Sequence, residues 1–114
     1  MSDLAEQRCV PCRGGQSPLA GEALETLAAQ VPGWRVVDGR RLVRLFRFPD
    51  FAAALDFTHA IGAIAEAEGH HPDLHLAWGK LEVELWTHDV GGLSESDFIL
   101  AAKISRLAAA RGLG

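Results

Sequence analysis

The order of elements in this sequence predicts an α+β domain, an antiparallel sheet with helices over one of its faces. Three stretches carry apolar residues at helical spacing, and two pairs of strand-like segments lie between them. Each pair is joined through a glycine dipeptide suited to a tight turn, so both pairs read as hairpins and the sheet as antiparallel. Helices placed between hairpins cover one sheet face. The 114 residues amount to one domain, and a 48% apolar content can build a core without disulfides or a structural metal.

Residues 1–17 read as a flexible leader with a Cys-x-x-Cys, broken by Pro11 and Gly14-Gly15, and residues 18–114 as a single domain. Ala20, Leu24, Leu27, Ala28 and Val31 mark the first helix, which Pro32-Gly33 ends. Segments 34–37 and 42–48 form the first hairpin through Asp38-Gly39. Asp50 is placed to cap a helix that runs to about Glu68. That helix has two apolar stripes, one through Phe51, Ala54, Leu55 and Ala65, the other through Phe57, Ile61 and Ile64. Two stripes need more cover than one sheet supplies, which predicts contact with another subunit. In the second hairpin, a turn at Gly79-Lys80 pairs Trp78 with Leu81, Leu76 with Val83 and Leu74 with Leu85 on a wholly apolar face. The same register sets His75 opposite Glu84, Asp73 opposite Trp86 and, continued outward, His71 opposite His88. Ser94-Glu-Ser-Asp97 is a capping-box-like start for the last helix, with Leu100, Ile104, Leu107 and Ala108 as its buried stripe and Gly112 at its end.

A formal charge of −4 argues against nucleic acid or an anionic membrane as partner. Arg35, Arg40, Arg41, Arg44 and Arg47 crowd one stretch and read as a solvated strand face. The first residues lack the basic start and apolar run of a signal peptide, and no segment has the length of a membrane span. Two cysteines without a secretory signal suit a reducing cytoplasm. Cys9-Val-Pro-Cys12 has neither the strand and helix of a redox motif nor the further ligands zinc would need, so no chemistry of its own is expected of it.

Three histidines, His70, His71 and His88, lie in or beside the second hairpin. Imidazole titrates nearest neutral pH, so a cluster of histidines suits general acid–base work. A metal site built from Glu66, His70, His71 and His88 is the rival reading. Gly69 counts against it by breaking the helix before His70, and adjacent residues in extended chain point apart. Asp97 is accounted for by its capping position alone.

The spacing Glu66-x3-His70-His71-Pro72-x5-Trp78-x9-His88-x8-Asp97 resembles the active-site pattern of the pterin-4a-carbinolamine dehydratase family at every position. Arg44-x-Phe-x-Phe-x-Asp-Phe51 and Thr87-His88-Asp89 followed by Gly91-Gly92-Leu93-Ser94 are similar to that family as well. The resemblance implies a four-stranded antiparallel sheet with three helices packed on one face, assembled as a homodimer or homotetramer. It implies dehydration of a 4a-hydroxytetrahydropterin to the quinonoid dihydropterin, with no metal or organic cofactor. It implies catalytic roles for His70, His71 and His88, and substrate contacts from Glu66, Pro72, Trp78 and Asp97. Within it, His88 is expected to transfer a proton, with His71 beside it and His70 across the pterin ring. Gly69 stands where many members have an acidic or polar residue, and Leu74-His75 where an aromatic often follows the histidine pair. The family also includes members that bind other proteins, which leaves a scaffold or assembly factor as the alternative.

Overall fold

A computed structural model describes residues 4–9 and 17–113. Three α-helices, α1 (Gly21–Ala28), α2 (Phe51–Glu68) and α3 (Glu95–Ala110), alternate with two hairpins, β1 (Arg35–Val37) with β2 (Arg41–Arg47) and β3 (Asp73–Ala77) with β4 (Lys80–Leu85). The hairpins join into one antiparallel sheet of order β1-β2-β4-β3, as the sequence predicts. Leu42, Phe46, Leu81, Val83 and Leu85 alternate onto the buried face, where α2 and α3 cover them.

Local chemistry sets the element ends. Asp50 accepts a hydrogen bond from the Ala53 N–H at 2.8 Å and so starts α2. Asp38 and Gly39 both take positive φ, 55° and 66°, in the turn between β1 and β2. The box between Ser94 and Asp97 starts α3.

The second hairpin differs from its expected register by two residues. Leu76 pairs with Leu81 and Leu74 with Val83, because Trp78 and Gly79 form the turn in place of Gly79 and Lys80. Gly79 has φ +72°, and its carbonyl accepts from the Phe48 N–H at 2.8 Å. A Cβ at Gly79 would stand 3.2 Å from the Phe48 carbonyl oxygen, so the end of β2 specifies glycine at this point of the turn. A shift of two keeps every side chain on its expected face, so the apolar pattern is equally satisfied by both registers. Trp78 does not pair with Leu81; it sits in the turn, 72% exposed.

The two stripes of α2 do not correspond to two faces. Ala54, Phe57, Ile61 and Ala65, drawn from both, make one buried stripe inside the chain, leaving Phe51 (42%) and Leu55 (48%) exposed along its flank. The arginine stretch is not wholly a solvated face. Arg44 points toward the helices, donates to Ser105 Oγ at 3.1 Å and lies over the Phe46 ring, and burial holds its guanidinium below its usual pKa.

Residues 4–9 are packed on the domain, which corrects the expectation of a leader apart from the core over that span. Leu4 and Ala5 are buried, Lys103 Nζ donates to the Ala5 carbonyl at 2.9 Å, and the Cys9 N–H donates to Glu68 Oε1 at 2.8 Å. Cys12 and the glycine pair lie outside the described residues.

Candidate active site

Asp97 is the hub of the hydrogen bonds in the candidate site. Its capping position points the carboxylate back across the start of α3, and it is fully buried. Oδ1 accepts from His70 Nε2 at 2.6 Å; Oδ2 accepts from Thr87 Oγ1 at 2.7 Å and from the Ser94 N–H at 2.9 Å. The Ser94 and Thr87 hydroxyls are themselves 2.7 Å apart. A buried carboxylate needs such a set of donors. The helix cap expected to account for Asp97 is present, and the same carboxylate also holds a histidine.

His70 reaches Asp97 because α2 ends where it does. Gly69 takes the left-handed conformation at φ 67°, and the N–H groups of Gly69 and His70 both bond to the Ala65 carbonyl, closing a Schellman-type end. The turn sends His70 inward, with its side chain 14% exposed. His71 goes outward, 58% exposed, and its Nε2 pairs with Glu66 Oε2 on the last turns of α2. Donation from Nε2 to Asp97 leaves Nδ1 of His70 as the basic nitrogen of the neutral ring.

His88 opens the short 3-10 turn His88–Val90 that follows β4. Its imidazole stacks on the Trp86 indole, centroids 3.8 Å apart and planes 27° from parallel. The Trp86 Nε1–H donates to Asp73 Oδ2 at 3.2 Å. His71 and His88 are therefore not opposed in the sheet: β3 starts at Asp73, β4 ends at Leu85, and the observed register continued outward sets His71 level with Trp86. Thr87 connects the histidines by another route, since its hydroxyl shares the Asp97 carboxylate with His70.

Of the expected site residues, the structure joins His70 to Asp97, sets His88 one residue beyond Thr87 on the same carboxylate, and leaves His71, Glu66 and Pro72 at the adjoining chain end. Trp78 is set apart. The five residues of β3, about 17 Å of strand, lie between it and Pro72. Thr87, Trp86 and Asp73 carry site contacts that sequence reasoning did not assign. The signal for Asp73 and Trp86 was present as a cross-strand pair, and they meet diagonally in the observed register.

Of the rival metal set only His71 and Glu66 meet; His70 turns away to Asp97 and His88 stacks on Trp86. Among the described residues, the group of ligand atoms close enough for a metal is His75, Glu82 and Glu84 on the open sheet face, where Arg41 already pairs with Glu84 at 3.3 Å.

Behind the histidines, Glu68 accepts from the Cys9 N–H and pairs with Lys103 at 3.5 Å, which holds its carboxyl below the usual range. The Cys9 thiol lies against the Ser96 carbonyl and is pushed up to about 11, by burial first and the nearby Glu68 second.

The family model for pterin 4 alpha carbinolamine dehydratase matches residues 17–107. This chain belongs to the pterin-4a-carbinolamine dehydratase family. A relative from Rubrobacter xylanophilus, provisionally named pterin-4-alpha-carbinolamine dehydratase, is 55% identical over 94% of this chain and 100% of its own length. One from Methylococcus capsulatus with the same provisional name is 49% identical over 93% of this chain and 94% of its own. The solved transcriptional coactivator/pterin dehydratase from Brucella melitensis superposes with a TM-score of 0.75 at 32% identity, covering 81% of this chain and 99% of that one. A pterin dehydratase-like RuBisCO assembly factor of the alpha-carboxysome shares the fold, with a TM-score of 0.57 at 24% identity over 67% of this chain and 89% of its own. The dehydratase fold is thus common to this chain and to proteins described by different functions.

Proposed function

We propose that this protein is a hydro-lyase that converts 4a-hydroxytetrahydropterin to quinonoid dihydropterin and water, the step that recycles the pterin after aromatic amino-acid hydroxylation. The observation that carries the reading is the buried Asp97 carboxylate. It holds His70 directly and, through Thr87, the segment bearing His88, in a chain with every position of the family's pattern.

The chemistry asks little beyond proton transfer. The C4a–O bond breaks as the N5 lone pair forms the C4a=N5 double bond; the departing hydroxyl takes a proton and leaves as water, and the N5 proton passes to a base. The step is redox-neutral, so side chains that donate, accept and orient are sufficient. His70, with Nε2 anchored on Asp97 and Nδ1 basic, and His88, whose ring nitrogens meet no described residue, are assigned the two proton transfers. His71, with Glu66 and Pro72 beside it, is assigned to binding the pterin. Trp78 lies too far along β3 to join them within one chain, so any contact it makes with substrate comes from a second copy.

The deciding experiment is dehydration of chemically prepared 4a-hydroxytetrahydropterin by purified protein in strong chelator. Accelerated loss of the 4a-hydroxyl is expected. Folded protein without activity, or activity lost to chelator and restored by zinc, would overturn the reading. The exposed Phe51 and Leu55 on α2 further support a homodimer or homotetramer, and light scattering at micromolar concentration should give at least twice the 12.3 kDa chain mass. A monomer would contradict this. The same exposed face favours the second reading, a protein-binding scaffold, which would bind a partner without accelerating dehydration.

A further inference from the structure

Two of these three histidines are held by carboxylates and the third is not, which has a consequence for a residue outside the family pattern. His70 and His71 each spend a ring nitrogen on a carboxylate. His88 spends none on any described residue; its side chain is fixed through the face of its ring, on Trp86. We infer that Trp86, anchored by Asp73, is a positioning residue for His88, which it orients by stacking so that both imidazole nitrogens stay available to the pterin.

A hydrogen bond to a ring nitrogen orients an imidazole but occupies one of its two proton-exchanging atoms. A stacked indole holds the ring plane and leaves both nitrogens open at the ring edge. The platform is itself tied down. Trp86 follows the last residue of β4, its Nε1–H donates to Asp73 at the first residue of β3, and the next residue, Thr87, is buried and bonded to Asp97. The indole is therefore gripped from the neighbouring strand and its chain is held one residue on, at Thr87, while His88 is exposed and begins a one-turn helix with little grip of its own. Asp73 and Trp86 together do for His88 what Asp97 does for His70.

This inference rests on the dehydratase reading, and one set of variants separates the two. Trp86→Ala should lower kcat roughly 10- to 100-fold with KM nearly unchanged, because it leaves the binding residues in place and frees the orientation of His88. Trp86→Phe, which keeps an aromatic face, should recover most of the loss; Asp73→Ala should fall between. Independently of activity, the His88 ring-proton resonances, assigned by comparison with His88→Gln, should be displaced upfield by the indole ring current in the wild type. They should return to ordinary positions in Trp86→Ala and stay displaced in Trp86→Phe. Circular dichroism establishes that each variant is folded. Full kcat in Trp86→Ala, or His88 resonances that do not move, would overturn the inference. A wild-type protein with displaced resonances and no dehydration would instead retire the dehydratase reading while leaving the stack established.

Discussion

His70 and His71 are adjacent in the chain and held under opposite conditions. His70 turns inward to a fully buried carboxylate that accepts two further hydrogen bonds; His71 turns outward to Glu66, and both members of that pair are mostly exposed. The contrast extends one helical turn back. Glu66 is open to solvent, whereas Glu68 is clasped between the Cys9 N–H and Lys103. Charge-assisted bonds to a buried group are strong and costly to break, while exposed ion pairs contribute about 0–1 kcal/mol. One half of the site is therefore built for fixed geometry, and the other can adjust to what binds. Proton transfer needs the first property and substrate capture tolerates the second.

The comparison can be broken at several strengths. The largest effect is expected from His70→Ala, a loss in kcat of about 10²–10⁴-fold, the usual range for a general acid or base. His71→Ala should act mainly on KM, with a smaller loss in kcat; equal kcat losses at the two positions would erase the distinction. Glu66→Gln should cost a few-fold at most, since it removes one exposed partner. His75→Ala is the internal control. His75 sits across from Glu82 and 3.9 Å from Glu84 on the open sheet face, and steady-state rates should hardly change.

The smallest effect concerns Glu68 and is read from pH rather than rate. Its pKa is depressed in the folded protein, so the stability it contributes is complete above the ordinary carboxylate range and is lost as pH falls through the depressed value. Hydrogen exchange should show residues 4–9 protected at neutral pH and opening on acidification, with Glu68→Gln opening them at pH 7. Protection that ignores pH in the wild type would show that Glu68 does not hold the segment. Cys9, with its thiol pushed up to about 11, should react slowly with alkylating agents at neutral pH while the segment is docked.

Much of this was legible because its causes are local. The Asp50 cap, the Asp38-Gly39 turn and the Ser94/Asp97 box each depend on residues within a few positions, and each stands as expected. The hairpin register was half legible. Alternation determined which face each residue of β3 and β4 takes, but a two-residue shift satisfies the same pattern, and the observed register is the one that sets Gly79 in the turn against Phe48, just past the end of β2. The site divides the same way. All its histidines could be named in advance, whereas the bond joining His70 to Asp97 spans 27 residues and depends on where α2 stops and α3 starts. The docking of residues 4–9 could not be read, because so short a segment carries no periodicity and its contacts are with Glu68, Ser96 and Lys103, far along the chain.

The central claim is that His70 transfers a proton as a unit with Asp97. A double-mutant cycle on the turnover of 4a-hydroxytetrahydropterin tests it most directly, using wild type, His70→Ala, Asp97→Asn and the double variant, each shown to be folded. If Asp97 acts through His70, the double variant should be about as slow as His70→Ala alone, because groups that serve one step are not additive. Losses that multiply across the two positions would show that Asp97 and His70 act separately, and would contradict the account.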